Sequence, residues 1–405
     1  MMAAFYGLGF ANIFLRSTMG VLAPELAAEL SLSPQMLGAI ASGYFVSYAL
    51  LQIPTGILLD RFGPWLVVNA MFLLTVIGIW LFAASQTGEV MLLARVLMGM
   101  GCAGVFACAF VVISRFFPSE RFTSVGGFLN SFGMLGTLCA TVPLAALVVW
   151  GGWRAAFVLV GLLMACVSLW SILMVRDAPS GTRVANPAAV EDTRSLLRGL
   201  WRVCRTRGVL PLAGAGFALA AGNTLLGIWG GPYLNDVHEL DEVGRGSVLV
   251  FMAVAGVVGH FVYGLAARWF NTLKWLVVGS GVGIVLITAT LASLSAPSLW
   301  VVQLLLVALG FVCSFPTILI AHARALVPAE MMGRGLTTVN TGIMVAIAIM
   351  QIAMGTVIGF TQGTLGWDAE SSYRAGFAFM AFMAVLSVAN YLRVDDKPPR
   401  PVSGR

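Results

Sequence analysis

Apolar runs of about 20 residues or more, each long enough to cross a hydrocarbon core of about 30 Å, recur along the whole of this chain. That feature leaves few folds open, because lipid offers no hydrogen bonds and a spanning segment must satisfy its own backbone. An all-α membrane protein follows. Charges, glycines and prolines punctuate the runs into twelve predicted spans, at about 3–26, 34–59, 64–85, 88–115, 121–149, 154–175, 209–234, 244–267, 273–294, 299–325, 332–360 and 373–392. With 59% hydrophobic and only 10% charged residues over a length of 405, little material remains for an extramembrane domain. The opening Met1-Met-Ala-Ala-Phe-Tyr-Gly lacks a basic stretch and reads as a retained first span, not a cleaved leader. Of the six cysteines, five lie inside apolar runs and Cys204 in a basic loop, so neither a disulfide framework nor a zinc site is expected.

The net charge of +6 would suggest nucleic acid in a soluble protein; here the distribution matters more, and no nucleic-acid partner is expected. Eighteen of the 23 lysines and arginines fall on the side that holds both termini, leaving Arg154, Arg245 and Arg374 opposite and Arg16 and Arg95 inside spans. The positive-inside rule therefore predicts cytoplasmic termini in an inner (plasma) membrane. In the central connection Arg194, Arg198, Arg202 and Arg205 share one helical face, while Leu197, Leu200, Trp201 and Cys204 populate another. That pattern predicts a helix lying on anionic lipid.

The connection also divides the spans six and six, and the two halves repeat. Arg115-Phe-Phe-Pro118-Ser-Glu120 followed by Asn130 resembles Arg324-Ala-Leu-Val-Pro328-Ala-Glu330 followed by Asn340. Trp153-Arg154-Ala-Ala-Phe157 matches Tyr373-Arg374-Ala-Gly-Phe377, and Arg176-Asp177 echoes Arg393 to Asp396. The expected division is a bundle over 1–176, a linker over 177–208, a second bundle over 209–392 and a tail over 393–405. Paired six-helix halves are typical of secondary transporters.

Gly56-x-Leu58-x-Asp60-Arg61-x-Gly63, between spans two and three, resembles the signature loop of the major facilitator superfamily, and Arg95-x-x-x-Gly99-x-Gly101 in span four resembles its second motif. The resemblance covers the whole chain. It implies two pseudo-symmetric six-helix bundles, a central cavity lined mainly by spans one, four, seven and ten, and alternating access. It also implies that Asp60, with Arg61 beside it, latches the cytoplasmic gate against the start of span eleven. Pro64-Trp65 replaces the usual basic pair of the signature loop, and the matching loop of the second half carries Arg268 where Asp60 stands.

Ionisable groups inside a membrane are costly and mark function. Arg16 lies near the middle of span one, with Asn12 one turn before it. Tyr44, Tyr48 and Gln52 share a face of span two, and Asn223 is a polar candidate in span seven. These six are the expected substrate-binding residues. Arg95 and His260, with Glu25 as second choice to His260, are the expected coupling or gating groups, since His260 is the deep side chain that titrates near neutrality. A cavity with arginines and no deep carboxylate favours an anion, whose planar carboxylate an arginine grips bidentately.

The expectation is thus a secondary carrier of a small organic anion, proton-coupled, monomeric and embedded in the lipid bilayer, with no catalytic residues, cofactor or resident metal. No nucleotide-binding Gly-x-x-x-x-Gly-Lys-Ser/Thr run occurs. Two alternatives stand beside it. Met350-x-x-x-Met354 among nineteen methionines fits an importer of copper or a metal chelate, and a carrier fold that only reports ligand occupancy would be a membrane sensor.

Overall fold

In a computed structural model the described residues are 1–177, 202, 205, 206, 208–327 and 332–396, without the side chains of 60, 119, 120, 122–124 and 332–334. They are helical with short connections, and no strand occurs among them. Ten helices are long and apolar enough to cross a membrane. The first span, built from Met2–Ser17 and Met19–Leu30, and the fifth, Ser119–Cys139, complete the twelve. The spans are less regular than their hydropathy suggests: the hydrogen-bond ladder is interrupted at Thr18 in span one, at 103–104 in span four and at 313–315 in span ten. Most of the central connection, where a helix lying on lipid is expected, falls outside the described residues, as does the side chain of Asp60.

The chain divides into two compact units, Met1–Leu32 with Ala39–Asp192, and Ser33–Gly38 with Thr193–Arg405. Each is held by the same devices. Helix starts are capped by side chains that accept otherwise orphaned N–H groups: Thr87 takes Val90, Asp241 takes Gly244 at 2.8 Å, and Asp368 takes Ser371 at 3.1 Å. In the first unit span four lies close on its neighbours because its motif glycines leave room. A Cβ at Gly99 would collide with the Tyr44 carbonyl and the Ser47 hydroxyl of span two, and one at Gly101 with Thr75 and the Met71 carbonyl of span three. Small residues at such contacts are how membrane helices gain packing without a hydrophobic drive.

The two units share one further device. In the first, the Asp177 carboxylate at the end of span six accepts the Trp65 N–H that opens span three, at 2.7 Å, and Arg115 donates to the Asp177 carbonyl at 3.0 Å. In the second, Asp396 after span twelve accepts the N–H groups of Leu273 and Lys274 at 3.2 and 3.0 Å and the Thr272 hydroxyl at 2.5 Å. His322 Nε2 donates to the neighbouring Asp395 carbonyl at 2.9 Å. Both carboxylates sit at helix N-termini, where the exposed N–H groups and helix dipole favour an anion. At the other end of the first unit, Glu29 pairs with Arg154 and accepts the Trp153 indole N–H at 2.6 Å.

Candidate functional site: an arginine and tyrosine cluster in the first unit

The signature residues of spans one, two and four meet in the core of the first unit. Arg16 is half-buried, and its guanidinium lies 4.6 Å from the centroid of the Tyr48 ring. It has no ion pair to a described residue, and its Nε is buried without a partner. Arg95 is 1% exposed and lies 5.0 Å from the centroid of Tyr44. Its Nη1 donates to the Leu15 carbonyl at 2.7 Å, while its Nε and Nη2 are buried without partners. Tyr44 and Tyr48 stack with centroids 6.2 Å apart. Two cations over two aromatic faces gain a cation–π attraction that deepens as water is excluded.

Asn12 and Tyr44 are committed to the protein. Asn12 is fully buried and its Nδ2 donates to the Cys102 carbonyl at 2.8 Å. The Tyr44 hydroxyl donates to the Asn12 carbonyl at 3.2 Å. The acceptors are available because the helices are interrupted there: Leu15 precedes the break at Thr18, and Cys102 the break at 103–104. Span one therefore lends Asn12 to span four, and span four lends Arg95 to span one. Of the six expected substrate-binding residues, Arg16 and Tyr48 form the cluster's open part, Asn12 and Tyr44 hold it in place, and Gln52 is half-buried one turn further along span two.

The other expected residues lie elsewhere. Asn223 is half-buried in the second unit and donates to its own helix at Leu219, 3.3 Å away. His260 is also half-buried in that unit; its Nδ1 lies 2.8 Å from the Gly256 carbonyl, which also accepts from Ser314 at 2.7 Å. Glu25 is half-buried near the end of the first span, and Arg61 is exposed beside its own neighbour Phe62.

Sequence reasoning missed Gln351. It is fully buried in span eleven of the second unit, and neither its Oε1 nor its Nε2 has a partner. Its main-chain oxygen accepts the indole N–H of the fully buried Trp229 at 3.2 Å. Trp229 ends a π-helical turn, Leu225–Trp229, three residues before Pro232, whose missing N–H and ring disfavour a regular turn. A glutamine alone in an apolar run was the available signal.

The family model of the Major Facilitator Superfamily matches residues 5–350. The chain belongs to this superfamily. Ten helices of the described residues are long and apolar enough to cross a membrane, in keeping with a multi-pass membrane protein of this superfamily. A probable L-galactonate transporter of Escherichia coli is 27% identical over 279 residues, which is 64% of this chain and 59% of the relative. A hexuronate transporter of Bacillus subtilis is 26% identical, over 64% of each chain. The match thus spans less than two thirds of either relative. A putative tartrate transporter of Agrobacterium vitis is 21% identical over 96% of this chain and 88% of its own. Among solved structures, a bacterial homologue of the human lysosomal transporter Spinster, inward-facing and unoccupied, superposes with a TM-score of 0.80 at 17% identity, covering 96% of this chain and 95% of its own. The facilitator fold inferred from the signature loop is thereby shown.

Proposed function

We propose that this protein is a secondary carrier of a small hydroxylated carboxylate, working by alternating access in the bacterial inner membrane with both termini cytoplasmic. One observation carries the reading. Arg16, in the middle of a membrane span, has a buried Nε without a partner and no ion pair to a described residue, so the charge it brings into the membrane is available to a ligand. A carboxylate satisfies it with paired, charge-assisted bonds. The printed substrates of the three relatives, L-galactonate, a hexuronate and tartrate, all carry a carboxylate and hydroxyl groups, which agrees with that chemistry.

In this reading Arg16 binds the carboxylate and Tyr48 forms the wall beside it. Asn12, Tyr44 and Arg95 keep Arg16 in position. Gln52 of the same unit offers an amide to a hydroxyl group. One copy of the chain suffices for this account.

The test is uptake of labelled L-galactonate, D-galacturonate and tartrate by vesicles containing the purified chain. Saturable uptake of at least one, competed by the others and not by the uncharged parent sugars, is expected. Uptake of the uncharged sugars with none of the acids would overturn the assignment.

A further inference from the structure

The second unit repeats the signature loop of the first with its charge inverted. The two loops match in structure as well as in sequence. Asp177 accepts the Trp65 N–H at 2.7 Å and Asp396 accepts the Leu273 N–H at 3.2 Å. Both loops turn on a residue of positive φ, Gly63 at 76° and Asn271 at 48°. In the register these pairs set, Arg268 stands where the first loop has Asp60, and Trp269 where it has Arg61. A cation in place of an acid calls for an anionic partner.

The surroundings of Arg268 show what kind of anion fits. In span eight, Glu242–Trp269, the exposed side chains Phe251, Val254, Val258, Phe261 and Leu265 follow one another at steps of three and four residues, and the next step is Arg268, also exposed. Such spacing puts all six on one helical face. The opposite face carries Gly256 and Gly259, which lie against Gly310 and Ser314 of span ten. An outward face that is apolar from 251 to 265 is a surface for acyl chains. Aromatic rings cluster at its end: Trp269 is 78% exposed, Phe270 is exposed, and Trp275, in the first turn of span nine (Lys274–Ser293), is 59% exposed. Exposed indoles beside cations belong at the level of lipid headgroups.

The charge agrees. Residues 264–275 include Arg268 and Lys274 and no acid. Lys274 donates from Nζ to the Leu392 carbonyl at 2.8 Å, which brings the tail after span twelve, with the exposed Arg393, to this loop. Of the tail's two acids, Asp396 is committed to the N–H groups that open span nine, and Asp395 is exposed beyond Val394. A phosphodiester takes charge-assisted bonds from guanidinium and ammonium groups.

We propose that the loop between spans eight and nine binds an anionic phospholipid, with the phosphate at Arg268 and Lys274, the headgroup among the rings of Trp269, Phe270 and Trp275, and an acyl chain along the exposed face of span eight. A lipid held there ties span eight, span nine and the tail together and stabilises the second unit by mass action. The site goes beyond the assignment of Arg16 and does not depend on it.

The experiment uses the full chain purified in detergent, with dioleoyl phosphatidylglycerol, dioleoyl phosphatidylcholine or glycerol phosphate added. Bound lipid is counted by native mass spectrometry, and the melting temperature is followed in parallel. Phosphatidylglycerol should bind at least about fivefold more tightly than phosphatidylcholine and raise the melting temperature, and glycerol phosphate should do neither. Arg268→Gln should weaken phosphatidylglycerol binding about fivefold, the worth of one cation near an anionic lipid. Arg268→Asp should weaken it further, and Arg268→Lys should keep most of it. Without lipid the three variants should melt with wild type, because the side chain is exposed. Phosphatidylglycerol binding unchanged in Arg268→Asp would overturn the proposal, as would stabilisation by glycerol phosphate equal to that by the lipid. Equal binding of the two lipids by wild type would overturn it without recourse to any variant.

Discussion

Asn12 and Arg95 each donate to a main-chain carbonyl of the other's helix, Asn12 to Cys102 at 2.8 Å and Arg95 to Leu15 at 2.7 Å. Each acceptor lies at an interruption of its helix, so the two side chains lock spans one and four at the points where both are weakest. Arg16 follows Leu15 directly, and the lock sets where its guanidinium stands.

Removing either donor leaves a buried carbonyl short of a bond, at a cost of about 1–3 kcal/mol. Asn12→Leu and Arg95→Gln should each lower the melting temperature in detergent and raise the KM for the transported acid about tenfold or more. Arg95→Lys should recover part of the stability, because a lysine can still donate to one carbonyl. An unchanged KM in folded Asn12→Leu protein would separate the lock from the site.

Gly63 and Gly152 both carry positive φ, 76° in each case, with ψ of 164° and 166°. Each breaks a long helix at the junction between two spans. A Cβ at Gly63 would stand 2.8 Å from Oδ1 of Asp177, whereas one at Gly152 meets nothing within 4 Å. Gly152→Ala should therefore cost only the backbone strain of about 1–3 kcal/mol. Gly63→Ala should cost more, because it also displaces the carboxylate that caps span three. Thermal unfolding of both variants in the same detergent gives the order.

Asp396 provides a pH dependence. Burial pushes its carboxyl up, but the Thr272 hydroxyl, the N–H groups of Lys274 and Leu273 and the nearby His322 together outweigh burial and hold it below the usual range. A carboxyl depressed in the folded state contributes stability that is complete above its unfolded pKa of about 3.9 and is lost as pH falls through the lower folded value. Wild type should thus be more stable than Asp396→Asn at pH 7, and the gap should close as the pH falls below about 4. A gap independent of pH would mean that the carboxylate's charge contributes nothing to the cap.

The architecture was legible because lipid enforces it. Hydropathy places spanning helices with few alternatives, and the signature loop at Gly56 to Gly63 names the fold. Local chemistry was legible in part. The i, i+4 spacing of Asn12 and Arg16, and of Tyr44 and Tyr48, shows that each pair shares a helical face. It does not show that Asn12 and Tyr44 spend their polar atoms on span four and on each other, because those bonds depend on interruptions at Thr18 and 103–104 that no Pro or charge marks in the sequence. Gln351 escaped for the opposite reason. Nothing around it is polar, and its significance comes from a partnerless amide in a packed core, which only three-dimensional placement reveals.

Direct binding of a labelled acid to purified protein, compared among wild type, Arg16→Lys and Arg16→Gln, tests the central claim without depending on coupling mode. Losing a charge-assisted bond is worth about 1.5–3 kcal/mol, so Arg16→Gln should weaken binding by about tenfold to a hundredfold. Arg16→Lys, which keeps the charge but not the planar fork, should fall between. Wild-type affinity in folded Arg16→Gln protein would contradict the account.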